Sequence, residues 1–193
     1  SSTRRNLELS ETLREKQKRG SLLWVLDKTK TAMGARMLRK QLEQPLIDKR
    51  QIEMRLDAVE ELLDNAICRE EMREYLTPVY DLERLLSKIT YKSANPRDLT
   101  AFHSSLSMLP HIRCILEEMR SPLLREILGE MDALEDICGL IGRAICEDPP
   151  LAMKEGGVIR EGYSEEVDRL RNAKTEGKDW LAKLEEEERE KTG

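Results

Sequence analysis

The chain has 193 residues, of which 37% are charged and 4% aromatic, with a formal net charge of −5. Leu, Glu, Arg and Lys dominate, which points to a helical protein with solvated faces, large enough to bury roughly 70% of its unfolded surface without disulfide or metal staples. No apolar run approaches the roughly 18 residues a membrane-spanning helix needs, and residues 1–20 contain no apolar secretory segment.

The opening stretch has neither an initiating Met nor a helix cap, as expected of a segment from inside a larger protein. The alternation Asn6-Leu7-Glu8-Leu9 suits a short strand or a helical turn, and Lys16 to Gly20 is a polar loop. Ser21 is an N-cap candidate for the apolar turn Leu22 to Leu26, and Thr31 for a helix running through Ala32 to Gln44. Pro45 stops that helix, because the residue before a proline is driven out of the α region. On it, Met33, Ala35, Met37, Leu38 and Leu42 form a broad apolar face, while Arg36, Arg39 and Lys40 gather elsewhere with Glu43 one turn on.

Asp48 caps a predicted helix from Lys49 to about Asp64, with Ile52, Leu56, Val59 and Leu63 as its buried stripe and Glu53, Asp57, Glu60, Glu61 and Asp64 on the wet side. A helix is expected between Ile67 and Leu76. Another is expected over Val79 to Ile89, with Pro78 in its first turn and Val79, Leu82, Leu86 and Ile89 inward. Tyr91 to Asn95 reads as a loop. Asn95-Pro96-Arg97-Asp98 then supplies an N-cap, a proline at the first helical position and an acid near the positive end of the dipole. Leu99, Phe102, Leu106 and Leu109 follow as a stripe. Ile112, Ile115, Leu116 and Met119 continue past Pro110, and Ser121-Pro122 opens a helix carrying Leu123, Leu124, Ile127 and Leu128. Gly129 weakens it and a restart is expected near Asp132, with Leu134, Ile137, Ile141 and Ile145 lining the last core helix.

Asp148-Pro149-Pro150 ends the bundle, and residues 151–163 are irregular or briefly extended. Ser164 caps a final helix with Glu165 and Glu166 in its first turn. Continuous to Lys191, it would be roughly 40 Å long. Val167, Leu170, Trp180, Leu181 and Leu184 are its sparse apolar positions, and Gly177 weakens it by about 1 kcal/mol relative to Ala. Such a helix cannot be buried along its length. The expected architecture is therefore all-α: a multi-helix core over residues 1–150, then a connector and a long projecting C-terminal helix over 151–193.

The chemistry is sparse. Cys68, Cys114, Cys138 and Cys146 form no CxxC and read as free thiols in a reducing compartment, cytoplasm or nucleus. There is no P-loop, GxGxxG or HExxH, and neither His103 nor His111 completes an ExxH. Both histidines read as surface or boundary residues. Asp132 and Asp136, on one helix face, could in principle hold Mg²⁺ but more simply form a solvated face. Cys138 and Cys146 read as small packing groups. No self-contained catalytic, cofactor or metal site emerges. Charge is the remaining signal: residues 1–50 carry 13 Lys/Arg against 6 Asp/Glu, a net +7, which leaves −12 for the rest. Arg4, Arg5, Arg36, Arg39 and Lys40 are thus candidates for a phosphate or interdomain contact, or simply for solvation of helix faces.

Thr3-Arg4-Arg5-Asn6-Leu7-Glu8-Leu9 resembles the start of the helical core domain of the MutS family of DNA mismatch repair proteins. So do Ser21-Leu22-Leu23-Trp24-Val25-Leu26-Asp27, Thr31-Ala32-Met33-Gly34-Ala35-Arg36, Ala94-Asn95-Pro96-Arg97-Asp98-Leu99 and Gly156-Gly157-Val158-Ile159-Arg160-Glu161-Gly162-Tyr163, in order along nearly the whole chain. The resemblance implies the core and first lever helix of a larger repair ATPase, linking ATPase to DNA clamp and catalysing nothing itself. The family's Phe-x-Glu mismatch wedge is missing, since Phe102 is followed by His103 and Ser104. By the same resemblance the parent protein uses ATP and Mg, binds mismatched duplex DNA, forms a homodimer, meets a MutL-type partner and is cytoplasmic. The competing readings are a free-standing helical protein-interaction scaffold and a basic helical nucleic-acid-binding module.

Overall fold

The structure is a computed structural model describing residues 5–192, with the side chains of residues 179, 182–184, 188, 191 and 192 excepted. Arg4 and the side chain of Leu184 therefore lie outside the described residues. Among those described the protein is all-α, and its one β-like feature is an isolated antiparallel bridge between Ile145 and Ile159. Contacts divide the chain into two compact units. One comprises Ser1–Ala94 and Ala101–Cys138, the other Asn95–Thr100 and Gly139–Gly193.

The first unit is built from helices started by their own side chains. Ser21 accepts the Trp24 N–H (3.3 Å) to open α1 (Leu22–Leu26), and Thr31 accepts that of Gly34 (3.0 Å) to open α2 (Ala32–Glu43). Asp48 accepts from Gln51 (2.9 Å) at the start of α3 (Lys49–Asp64), and Asn65 from Cys68 (3.4 Å) at the start of α4 (Ala66–Leu76). There is no strand at residues 6–9. Asn6 is helical, Leu7 and Glu8 turn with a Glu8 φ of 47°, and the carbonyls of Glu8 and Leu9 accept the N–H groups of Leu22 and Leu23. That segment spends its backbone acceptors on α1's otherwise unpaired first donors, so none remain for a ladder.

The helix expected from Val79 begins instead at Leu82, as α5 (Leu82–Thr90), with Asp81 as its cap. Val79 is buried ahead of it, and the Tyr80 N–H donates to Ser105 Oγ (3.0 Å), which holds residues 79–80 outside any helix. Pro78 is thus not in the helix. Three residues' delay turns Leu85 inward and leaves Leu86 55% exposed. In α6 (Pro96–Leu106) the predicted start is present in full: Asp98 N–H donates to Asn95 Oδ1 (2.8 Å), and Asn95 N–H donates back to Asp98 Oδ2 (3.0 Å). α7 (Leu109–Glu117) and α8 (Pro122–Glu130) follow, and α9 (Glu135–Ala144) begins after a non-helical Met131–Leu134 connection in which Leu134 has a φ of 50°.

Helix α3 packs against α4 and α8, α4 against α7, and α7 against α8. Their shared core is Ala58, Cys68, Ile112, Ile115, Leu116, Met119 and Leu124. The predicted α7 stripe is therefore central, but the predicted α3 stripe is not buried: Leu56, Val59 and Leu63 are 60%, 62% and 67% exposed. α3 turns Ala58 and Leu62 inward instead. Asp132 lies before α9 and accepts the Leu134 N–H (2.9 Å), so it shares no helix with Asp136. Leu134 and Ile145 likewise flank α9, and Ile137 is 38% exposed.

In the second unit, α10 (Glu165–Thr192) is one uninterrupted helix of 28 residues, and Ser164 accepts the Val167 N–H (3.5 Å) at its start. Gly177 does not break it.

Candidate functional site

Two arrangements could carry function, one in each unit. In the first unit, α2 presents the basic residues singled out in the sequence. Arg36 is not free. Its guanidinium forks onto both oxygens of Asp81 (2.7 and 2.8 Å) and also reaches Glu83, so the start of α5 is tied to the middle of α2. The Asp81 carboxylate also accepts the Arg84 N–H that begins α5 (3.3 Å). Hydrogen bonding from Arg36 holds Asp81 below the ordinary carboxylate range, and the two carboxylates hold Arg36 protonated. Arg39 pairs with Glu43 one turn on (2.9 Å). Lys40 joins Met33, Arg36, Met37, Leu46 and Arg55 around a groove of about 570 Å³. Arg5 is exposed in the first described turn. Arg55 was missed by sequence reasoning. It comes from α3 and meets α2 only through the reversal at Pro45–Asp48, which leaves no local trace.

In the second unit the chain builds a hydrogen-bonded joint at the root of α10. Cys146 N–H donates to Val158 O (3.0 Å) and Arg160 N–H to Ala144 O (2.8 Å), pairing the segment after α9 with the segment before α10. Arg160 Nε adds a bond to Ile145 O (3.3 Å). Arg97, from the first turn of α6, donates through Nε to Pro149 O (3.1 Å). From α10 itself, Asp168 accepts the Gly162 N–H (2.8 Å), and Arg171 donates to Asp168 (2.9 Å) and to Ile159 O (2.7 Å). Gly162 has a φ of 81°, which an L side chain adopts only with strain. Three large apolar residues of α10 are wet: Leu170, Trp180 and Leu181 are 67%, 62% and 58% exposed. Asp168 and Arg171 stand three apart in the first turns of a helix, a spacing visible in the sequence, but their backbone targets are not.

The remaining candidates have structural explanations. Cys68 is buried, and burial followed by the Glu118 charge pushes its thiol up, so it stays protonated. His111 is an exposed ring stacked on Tyr75 (4.8 Å, 9°), and His103 is half-buried. Among the described residues no three His, Cys, Asp or Glu side chains converge as metal ligands, and no helix is long and apolar enough to cross a membrane. A Cβ added at Gly156 or Gly157 would meet nothing within 4 Å, and both have a positive φ.

Comparison with known proteins gives a consistent answer. The family described as MutS domain III matches residues 2–192. The chain is 68% identical over its full length to a DNA mismatch repair protein MutS of Lachnoclostridium phytofermentans, covering 21% of that protein. It is 53% identical, again over its full length, to the protein of the same name from Ruminiclostridium cellulolyticum, and 55% identical over 98% of its length to that from Caldanaerobacter subterraneus subsp. tengcongensis. It covers 22% of each of these two. The chain thus spans about a fifth of the length of the relatives it matches.

Proposed function

The chain belongs to the MutS domain III family, and from that premise we propose that it is the helical core and first lever helix of a DNA mismatch repair protein. Residues 1–150 form the core, and residues 151–193 form the connector and the lever. Its task is mechanical. It joins the part of the parent that hydrolyses ATP to the clamp that holds DNA, and it passes conformational change between them without catalysing a step. ATP and Mg, mismatched duplex DNA, a second copy of the parent and a MutL-type partner are met by the parent as a whole, in the cytoplasm.

One observation carries this reading: α10 is bonded at its root and, within its 28 residues, leaves Leu170, Trp180 and Leu181 in solvent. A rigid rod anchored at one end turns a small rotation into a large displacement at the other. The exposed apolar stripe of α3 supports a domain that meets further parts of its parent. Among the basic residues proposed for an interdomain or phosphate contact, Arg4, Arg5, Arg36, Arg39 and Lys40, two already hold carboxylates of their own unit: Arg36 on Asp81 and Arg39 on Glu43.

The reading is tested by softening the rod. In the full-length parent, the combined change Thr175→Gly, Glu176→Gly and Lys178→Gly costs the helix about 0.3–0.8 kcal/mol per residue and places four glycines in a row with Gly177. Basal ATP turnover should persist while its response to mismatched DNA is lost. A retained response would refute the mechanical role. A second measurement is fluorescence titration of this chain with duplex DNA, where weak binding without mismatch discrimination is expected.

A further inference from the structure

We propose that Arg171, aligned by Asp168, is the positioning residue that fixes the direction in which α10 leaves its joint. The inference rests on the lever reading and names the residue on which it depends. Among the described residues, Arg171 is the α10 side chain furthest along the helix with a hydrogen bond to a residue outside it, since that of Thr175 bonds Arg171 O within the helix. Asp168, one turn earlier, is bonded to Gly162 N–H. Two tethers at different heights fix an angle, whereas one tether leaves a pivot.

The backbone alone does not supply that angle. The chain enters α10 through Gly162, whose φ is left-handed and where an added Cβ would meet nothing within 4 Å, so the Asp168 carboxylate on its N–H is the side-chain contact that steadies it. From Arg171 to Thr192 the helix runs roughly 30 Å, so an angular slack of about 10° at the root would displace the tip by about 5 Å. The target of Arg171 is also well chosen. Ile159 is the bridge partner of Ile145, immediately after α9, so the bond ties α10 to the paired segments rather than to a free loop. The planar guanidinium reaches a carboxylate and a carbonyl simultaneously, a geometry that a lysine ammonium does not reproduce.

The test uses the 193-residue chain without nucleotide or DNA, so its outcome is separate from that of the lever reading. Spin labels are introduced through a ketone-bearing amino acid at Arg143 and Lys178, which leaves the four cysteines native, and the distance distribution is measured by double electron–electron resonance. Wild type should give a single narrow distribution. Arg171→Ala should widen it by about twofold or more, and Arg171→Lys should remain nearly as wide because it restores charge without the two-pronged bond. Asp168→Asn should widen it less, since one acceptor oxygen survives. Far-UV circular dichroism and the thermal midpoint should stay close to wild type throughout. An unchanged width in Arg171→Ala overturns the proposal. So does full rescue by Arg171→Lys, or widening that tracks a loss of helicity, because Arg171 would then contribute charge or helix stability rather than direction.

Discussion

Glu61 shows how one carboxylate can organise a junction. It projects from α3 and accepts the backbone N–H groups of Arg120 (2.6 Å) and Ser121 (2.8 Å), where α8 begins. Burial pushes its pKa up, but the two N–H donors outweigh that and hold it below the ordinary carboxylate value of 4.5. Asp27 is held at about 2 by Lys18 and then Thr29. The sign follows from linkage: a depressed folded pKa adds stability in full above the unfolded value, and that stability is lost as pH falls through the folded one. The Asp27 contribution should thus fade between pH 3.8 and about 2. Glu61→Ala leaves two N–H donors at a helix start without their acceptor and should cost about 1–3 kcal/mol at neutral pH. Denaturant midpoints measured from pH 7 down to 3 would show the variant losing less stability on acidification than wild type. Equal pH slopes would remove Glu61 from this account.

At the scale of the element, α3 carries two apolar faces and buries the less obvious one. Val59 and Leu63 are exposed, whereas Ala58 is 4% exposed against α4 and α8. Val59→Gln should therefore change stability by no more than about 0.5 kcal/mol. Ala58→Leu, one residue away, should cost about 1–3 kcal/mol by overpacking. Chemical denaturation of both variants checks the pair, and the reverse order would mean the face is misassigned. On α10, a Cβ added at Gly177 meets nothing within 4 Å. Gly177→Ala should accordingly stabilise the helix by about 1 kcal/mol, read as higher helicity on heating. Helix starts were largely legible because a cap is local: Ser21, Thr31, Asp48, Asn95 and Ser164 each bond an N–H three residues on. The α5 start was not, because Ser105 pins Tyr80 from 25 residues away and delays the helix.

At the scale of the whole chain, the exposed apolar residues on α3 and α10 set its solution behaviour. Light scattering of the isolated chain should give 22.4 kDa when dilute and a rising mass with concentration. Hydrophobic association persists or strengthens in added sulfate, whereas pairing of the basic first 50 residues with the acidic remainder would be screened by salt. A mass that falls with salt would assign association to charge instead. A constant mass at every concentration would mean that these faces do not associate.

The sequence by itself determined that the protein is helical, where most helices begin, that the last one is long, and which family the chain resembles. Each of these is written in short-range terms: capping bonds over three residues, periodicity over one or two turns, and ordered motifs. Only the tertiary structure decided which face of α3 is buried, that Arg36 is spent on a carboxylate 45 residues away, and that Arg171 reaches back to Ile159. An amphipathic pattern states how many apolar groups a helix can bury. The neighbours that bury them are set by packing among segments distant in sequence, which local periodicity does not encode.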